Sequence, residues 1–427
     1  MTNSNLFSRY GAIVTIGALF FALGFITWAN SILIPYFKLI CELTIQQALL
    51  VTFAFYIGYF LMALPASYLH SKMGYKNGMI LGLLLMALGA LLFIPAANGR
   101  QYIVFLTGLF VQATGLTLLQ TAANPYIITL GPIESAASRM SIMGVCGKTA
   151  GAIAPLLLIG VLVHNADEID LVHRQLLTAS VQQKNFVLDD LSARLVGPYL
   201  VIMAVLLLLI LAVKFIHLPE IKDQTVAAEN SIPRSDAPLY KHTYMLLGAL
   251  AIFCAVNNEV LVVDTIIQYA EFNGASFRLA KYFATYALVI MIAGYLAGAF
   301  LMPKLISQRN ALIFCALWGV ALTSFTLLSG GYTSLWCLAL LGFGNSLLWP
   351  AIWPLSLNGL GRHTSKGSAL LIMGVAGAAV GPLVYGWLSE ATNQQYGYFI
   401  LLPCYLFILY FAVWGYKAGR KRLNLPV

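Results

Sequence analysis

Long stretches of apolar residues, separated by charged or turn-forming residues, recur along this chain. Each stretch is about 20 residues or longer, which is the length that an α-helix needs to cross the hydrocarbon layer of a bilayer. The chain is 60% hydrophobic and 9% charged, whereas a soluble domain is about half apolar and a quarter charged. No soluble fold can bury so much apolar surface, so we expect an all-α membrane protein that lies in the lipid bilayer.

The apolar stretches predict twelve transmembrane helices. Their predicted spans are 11–37, 45–70, 78–95, 101–130, 141–163, 197–217, 242–271, 280–303, 310–330, 332–357, 368–388 and 396–416. Lys and Arg are enriched in cytoplasmic loops, and most of them here fall in loops on the same side as the N-terminus. We therefore expect both termini in the cytoplasm.

An internal repeat divides the spans into two halves. The sequence IMGVCG at 142–147 in span five recurs as IMGVAG at 372–377 in span eleven, and Gly151 and Gly381 keep the same offset. The polar segment 218–241 lies between spans six and seven. These features predict an N-terminal half at 1–217, a cytoplasmic linker at 218–241 and a C-terminal half at 242–427. Two pseudo-symmetric six-helix halves are typical of the major facilitator fold, with a substrate site between them near the midplane.

Polar residues inside the spans are candidates for that site, because such groups are costly in hydrocarbon and usually face a cavity. Helical spacing places Asn257 and Asp264 on one stripe of span seven and directs Glu259 elsewhere. Lys148 is predicted near the cytoplasmic end of span five, where its side chain can reach the interface. The main candidates are Asn30, Ser31, Gln120, Asn124, Asn257, Glu259, Asp264, Asn345, Trp349 and Trp353.

This set of side chains suits a hexose, because amides and carboxylates pair with hydroxyl groups and indole rings pack on the C–H faces of a sugar. The alternative, that the amides and indoles only join and fill packed helices, stays open. A carboxylate at membrane depth needs a partner or a cation, so Glu259 and Asp264 are predicted to serve coupling or to bind a sugar hydroxyl. The predicted sugar ligands are Asn30, Gln120, Asn124, Asn257, Asn345, Trp349 and Trp353.

Other classes of function fit the sequence less well. The basic residues are scattered through short loops, so we expect no nucleic acid partner. We find no nucleophile, metal-ligand or phosphate-loop pattern of an enzyme, and the six cysteines have no paired spacing. A sugar sensor would need a signalling domain larger than these loops. A drug:proton antiporter of the same fold would have an apolar, aromatic cavity with an acidic group and few amides.

The chain also resembles a known family in motifs spread over nearly its whole length. It resembles the fucose:hexose:proton symporter family of the major facilitator superfamily, and especially the bacterial glucose/galactose transporters within it. The resemblance implies a monomer of the bacterial inner membrane that moves a hexose such as glucose or galactose by alternating access, with no cofactor beyond a coupling ion. The motifs are GFIT at 24–27, ILIP at 32–35, QTAANPY at 120–126, GPIES at 131–135, and WPAIWP at 349–354.

One departure from the family concerns the coupling ion. In the fucose permease of that family, an Asp in span one and a Glu in span four handle the proton, and Ser31 and Gln120 stand at the matching positions here. Three alternatives follow. Glu259 or Asp264 carries a proton; sodium binds oxygen atoms of Ser31, Gln120, Asn124 and a carboxylate; or the carrier is an uncoupled uniporter. The sequence-based reading prefers sodium to the proton by a small margin.

Overall fold

The fold is seen in a computed structural model that describes residues 3–43, 45–129, 132–162, 172, 176, 179–215, 238–275, 277–423 and 425 of the chain. The side chains of Asn30 and Ser31 lie outside this description. Over the described ranges the chain is helical and contains no strand. The prediction of an all-α membrane protein is therefore confirmed.

The helices agree with the twelve predicted spans. Nine described helices are long and apolar enough to cross a membrane, and Leu50–Asn98 contains two of the spans. With α1 and α5, the described residues provide all twelve. They are α1 Asn3–Ile40, α2 45–73, α3 75–98, α4 Tyr102–Thr129, α5 Ala136–Leu162, α6 Val196–Phe215, α7 Thr243–Phe272, α8 Phe277–Leu301, α9 Gln308–Leu328, α10 Gly331–Leu357, α11 Thr364–Met373 with Gly377–Ala391, and α12 Leu401–Val413.

Two glycine-dependent features break the regular helices. Gly74 separates α2 from α3 and has φ 80°, a left-handed conformation that glycine adopts without a steric penalty. In α11 a single 3-10 turn, Gly374–Ala376, interrupts the helix. A Cβ on Gly377 would lie 2.1 Å from the carbonyl oxygen of Phe253 in α7. The backbones of α11 and α7 therefore touch directly at this crossing.

The predicted start of span five was wrong by one turn and a half, and the reason is Arg139. The sequence analysis began the span at 141 because a charged residue reads as a break. In the structure α5 begins at Ala136, and the Arg139 guanidinium donates hydrogen bonds to the carbonyl oxygens of Ile127 and Ile128. Arg139 thus caps the end of α4 while remaining inside α5. Consequently Lys148 lies near the middle of α5 and not at its cytoplasmic end.

Twelve crossings leave both ends of the chain on one face of the bundle, called here the terminal side; the opposite face is the far side. On the far side, a short helix Val181–Ala193 joins the ends of α1 and α3. The Tyr36 hydroxyl donates to the carbonyl of Leu191 at 2.6 Å, and Arg100 pairs with Asp189 at 2.7 Å. Residues 216–237, most of the predicted linker, lie outside the described residues, so the domain boundaries stay predictions.

The outward surface of the helices is apolar. Large hydrophobic side chains such as Leu208, Phe300 and Leu328 are more than half exposed. In a soluble protein a continuous apolar surface of this kind would drive aggregation, whereas it suits contact with lipid chains. Inside the bundle, packed aliphatic and aromatic side chains of each half surround a central cavity, which is where the site lies.

Candidate substrate site between the two halves

A cavity of about 860 Å³, its open mouth included, lies between the N-terminal helices α1–α6 and the C-terminal helices α7–α12. Aromatic and aliphatic side chains form most of the wall, with a few polar groups among them. The polar and charged side chains of the wall, indoles included, are Thr27, Trp28, Tyr56, Tyr59, Gln120, Asn124, Lys148, Glu259, Tyr295 and Trp349.

The wall begins at a close crossing of α1 and α5. A Cβ on Gly24 would lie 2.1 Å from the carbonyl oxygen of Gly147, so these two backbones can meet only because position 24 is glycine. One turn further, the Trp28 ring covers Gly151, where an added Cβ would lie 2.5 Å from the ring. The crossing therefore fixes the Trp28 ring beside Lys148, the residue that follows Gly147.

Lys148 and Glu259 form an ion pair across the cavity, and it is the main feature that the sequence analysis missed. The Lys148 ammonium, on α5, donates a hydrogen bond to the Glu259 carboxylate, on α7 of the other half. The same ammonium lies 4.1 Å from the centre of the Trp28 ring. Lys148 is 8% exposed, so the expectation that it reaches the membrane interface was wrong. Only the folded position of α5 shows this, since a lone Lys in a span carries no pairing signal.

Two amides of α4 that line the cavity have polar atoms without a hydrogen-bond partner among the described residues. Both polar atoms of the Asn124 side chain are buried and unpaired, and so is Oε1 of Gln120. Buried polar atoms are nearly always hydrogen-bonded in proteins. Gln120 and Asn124, four residues apart, share a helix face as the sequence predicted. Their free donors and acceptors are available to a ligand in the cavity.

Aromatic residues supply the rest of the wall. Trp349 of α10 lines the cavity, and so do Tyr56, Tyr59 and Tyr295. Trp349 was a predicted sugar ligand and lies where it can serve as one. The tyrosines were not among the predicted site residues, because aromatic residues are frequent throughout these spans and nothing in the sequence distinguishes the three.

Four predicted site residues are not among those that line this cavity. The Asn345 side chain accepts a hydrogen bond from Tyr405 at 2.6 Å, and the Asn257 amide donates to Asn258 at 2.9 Å. Trp353 is fully buried against Trp349, with ring centroids 5.4 Å apart. Asp264 lies on α7 one turn beyond Val260, which is a wall residue. Helical spacing predicted that Asn257 and Asp264 share a stripe that Glu259 does not, and of these three candidates Glu259 is the one that lines the cavity.

Hydrogen bonds between the halves cluster on the terminal side of the cavity. Ser67 of α2 and Ser365 of α11 share a hydrogen bond of 2.9 Å, and Ser138 of α5 donates to Ala299 of α8 at 2.7 Å. The Gln308 amide donates to the carbonyls of Ile133 and Glu134, both at 2.7 Å. These contacts close the terminal side, so the cavity lies between them and the far side.

Two six-helix halves around a central polar cavity, closed on one side, define a membrane carrier of the alternating-access class. The chain belongs to the major facilitator superfamily, whose model matches residues 16–375. Within it, the chain belongs to the family of the glucose/galactose transporters and L-fucose-proton symporters described next. This family consists of transporters rather than enzymes, as the sequence analysis expected.

Relatives and solved structures support this assignment over the whole chain. The chain is 30% identical to the glucose/galactose transporter of Brucella abortus, over 98% of this chain and 97% of that protein. It is 32% identical to the L-fucose-proton symporter of Escherichia coli, over 91% of this chain and 90% of that protein. A solved fucose transporter of the superfamily, in the outward conformation, matches with a TM-score of 0.80 and 30% identity over 94% of this chain and 98% of that one.

The preference for sodium as the coupling ion is not supported. The coupling ion named among these relatives is the proton. The sodium site predicted near Ser31, Gln120 and Asn124 depends on Ser31, whose side chain lies outside the described residues, as does that of Asn30. The drug-antiporter alternative is not favoured either, because the cavity wall carries two amides and an ion pair and not a single acidic group among apolar residues.

Proposed function

We propose that this protein takes up a hexose, such as glucose or galactose, together with protons across the bacterial inner membrane. The observation that carries the proposal is the cavity between the halves, where unpaired amide atoms of Gln120 and Asn124 face the same space as the Trp349 ring. Amides offer both donors and acceptors to sugar hydroxyls, and an indole offers a flat apolar face to the sugar ring. The names of the relatives support the same substrate class.

Transport follows from the way the halves meet. With the terminal side in the cytoplasm, as the loop charges predict, the structure corresponds to a carrier closed toward the cytoplasm, able to receive sugar from outside. Rocking of the halves about the bound hexose then breaks the bonds of Ser67 and Gln308 with the opposite half and opens the terminal side. The proposed carrier works as a monomer, since one chain supplies both halves of the site.

The test is uptake of radiolabelled glucose and galactose into proteoliposomes that contain the purified full chain. An inward proton gradient and an inward sodium gradient are imposed separately, with protein-free liposomes as the control. We expect accumulation above the external concentration with the proton gradient alone. Accumulation that requires sodium would contradict proton coupling, and simple equilibration under both gradients would make the protein a uniporter.

A further inference from the structure

The Lys148–Glu259 pair differs from the other ion pairs of the described chain in its position. Lys184 with Glu42 and Arg100 with Asp189 join partners whose acidic side chains are half exposed or more. The Lys148 and Glu259 side chains are 10% and 15% exposed, and they connect one half of the carrier to the other. Among the described residues that line the cavity, these two carry the charges.

A buried ion pair responds strongly to the loss of either charge, because the remaining charge is left without water or a partner. If Glu259 takes up a proton, the contact of the Lys148 ammonium that remains among the described residues is with the face of Trp28, at 4.1 Å. That contact does not replace a charge-assisted hydrogen bond. The ammonium then needs another oxygen acceptor, and a hexose in the cavity carries several hydroxyl oxygens.

Glu259 is the carboxylic acid among the described residues that line the cavity. Tyr56 of α2 and Tyr295 of α8 line the same cavity, and Tyr405 of α12 donates its hydroxyl to Asn345. Phenols of this kind are neutral near pH 7. The Gln120 amide across the cavity does not titrate. Asp264 lies on the same helix as Glu259 and is not among the wall residues.

We propose that the Lys148–Glu259 pair couples hexose to proton, with Glu259 carrying the proton and Lys148 exchanging the carboxylate for a sugar hydroxyl. A proton from far-side water forms an O–H bond on the Glu259 carboxylate, and the Lys148 N–H hydrogen bond to that oxygen breaks. Lys148 keeps its proton and donates to the hexose. After the terminal side opens, the hexose leaves, Glu259 releases its proton to water, and the ion pair forms again.

This inference rests on the proposed function, since it requires a hexose in the cavity. Its central consequence is that sugar and proton each favour binding of the other, as linkage requires. A hexose without a proton finds Lys148 already paired, and a proton without a hexose leaves Lys148 unpaired. Each cycle carries the proton's positive charge across the membrane, so transport is electrogenic.

The first experiment compares Glu259→Gln with wild type in proteoliposomes, measuring both proton-driven accumulation and exchange of labelled for unlabelled hexose. We expect accumulation to fall about tenfold or more, while exchange, which needs no net proton movement, continues. Glu42→Gln is the matched control, because it removes the same charge from an exposed pair with Lys184, and it should behave as wild type.

Lys148→Arg should keep accumulation, because Arg also pairs with a carboxylate, and Lys148→Met should lose it.

Accumulation by Glu259→Gln at the wild-type level would overturn the coupling role of the pair and leave the proposed function standing. Loss of accumulation in Lys148→Arg with intact exchange would also overturn it, since the proton would then be carried by Lys148. A wild type that neither binds nor moves hexose would instead refute the proposed function. If Glu259→Gln does not fold, wild type in weakly buffered detergent gives the answer. Proton uptake on adding glucose supports the proposal, and its absence overturns it.

Discussion

The two halves use the same kinds of polar side chain in opposite ways. In the N-terminal half, Gln120 and Asn124 point unpaired polar atoms into the cavity. In the C-terminal half, Asn257 and Asn345 bond to neighbours inside the bundle. Unpaired amides are available to a ligand, whereas bonded ones mainly hold helices together. The N-terminal half therefore offers the unpaired amide atoms of the proposed site, and the C-terminal half contributes Glu259 and Trp349 to the cavity wall.

The two copies of the repeated motif also differ, at the residue that follows the last glycine of each copy. Gly147 and Gly377 occupy equivalent places, each at a close crossing with the first helix of its own half. The residue that follows is Lys148 in the first copy and the fully buried Ala378 in the second. The two copies of the motif thus place a charged side chain that lines the cavity and a packed methyl group at equivalent positions.

The largest effect is expected from adding a methyl group to the second copy. In Gly377→Ala, the new Cβ would lie 2.1 Å from the backbone carbonyl oxygen of Phe253, and a backbone cannot move aside as a side chain can. Overpacking of this kind costs about 3 kcal/mol of unfolding free energy. The measurement is thermal unfolding of the purified protein in detergent, where we expect a clearly lower Tm than for wild type.

Gly147→Ala is the matched control for that comparison. Its Cβ would find only the Phe20 carbonyl oxygen, at 3.3 Å, so the expected loss is below about 1 kcal/mol. Equal destabilisation by the two substitutions would show that the two copies of the motif are packed equally tightly, which would contradict the difference between Gly147 and Gly377.

A second large effect is expected at Asn345. Replacing Asn345 by Leu leaves the buried Tyr405 hydroxyl without its acceptor, at a cost of about 2 kcal/mol. The measurement is again thermal unfolding, combined with Tyr405→Phe in a double-mutant cycle. The double variant should lose less unfolding free energy than the two single variants added together. A loss equal to that sum would show that the hydrogen bond does not contribute to stability. Hexose affinity should stay near the wild-type value, since Asn345 does not line the cavity.

The sequence was sufficient for the fold because the constraint comes from single segments. A run of about 20 apolar residues crosses a bilayer wherever it occurs, so the twelve helices could be counted without knowing their arrangement. Errors arose where a side chain acts on another element. Arg139 appeared to precede span five, and in the structure it lies inside α5 and caps the end of α4. The 3-10 turn at 374–376 depends on contact with α7, which no local pattern reports.

The site could be predicted only in part, and for a related reason. Gln120 and Asn124 were found because a short helical spacing places both on one face. Glu259 was predicted from its cost at membrane depth, but helical spacing could not show which side of α7 faces the cavity, because that side depends on the rotation of α7 against α5 and α10. Lys148 was missed because its partner is on the other half of the chain, 111 residues away. Pairing across halves is a property of the assembled bundle.

A substitution at Asn124 tests whether the unpaired amides of the N-terminal half bind the hexose. In Asn124→Ala, a hexose loses the hydrogen bonds of a buried amide, and we expect about a tenfold weaker affinity. Stability should change little, because the Asn124 side chain has no protein partner to lose. Isothermal titration of the detergent-purified protein with glucose and galactose measures the affinity. A large loss of Tm with unchanged hexose binding would show that Asn124 stabilises the helix bundle, as Asn345 does, and does not bind the hexose.

The smallest effect is expected at Ser67→Ala, which bears on how firmly the halves close. This change removes one buried hydrogen bond to Ser365 on the terminal side, worth about 0.5–1 kcal/mol, or a shift of roughly threefold toward the state open on that side. Spin labels at the exposed positions Lys72 and Lys366, with the native cysteines replaced, measure the shift by pulsed electron paramagnetic resonance. Ser71→Ala is the control, because Ser71 bonds within its own helix. An unchanged distance distribution in Ser67→Ala would place the closing contacts elsewhere, with Gln308 as the next residue to replace.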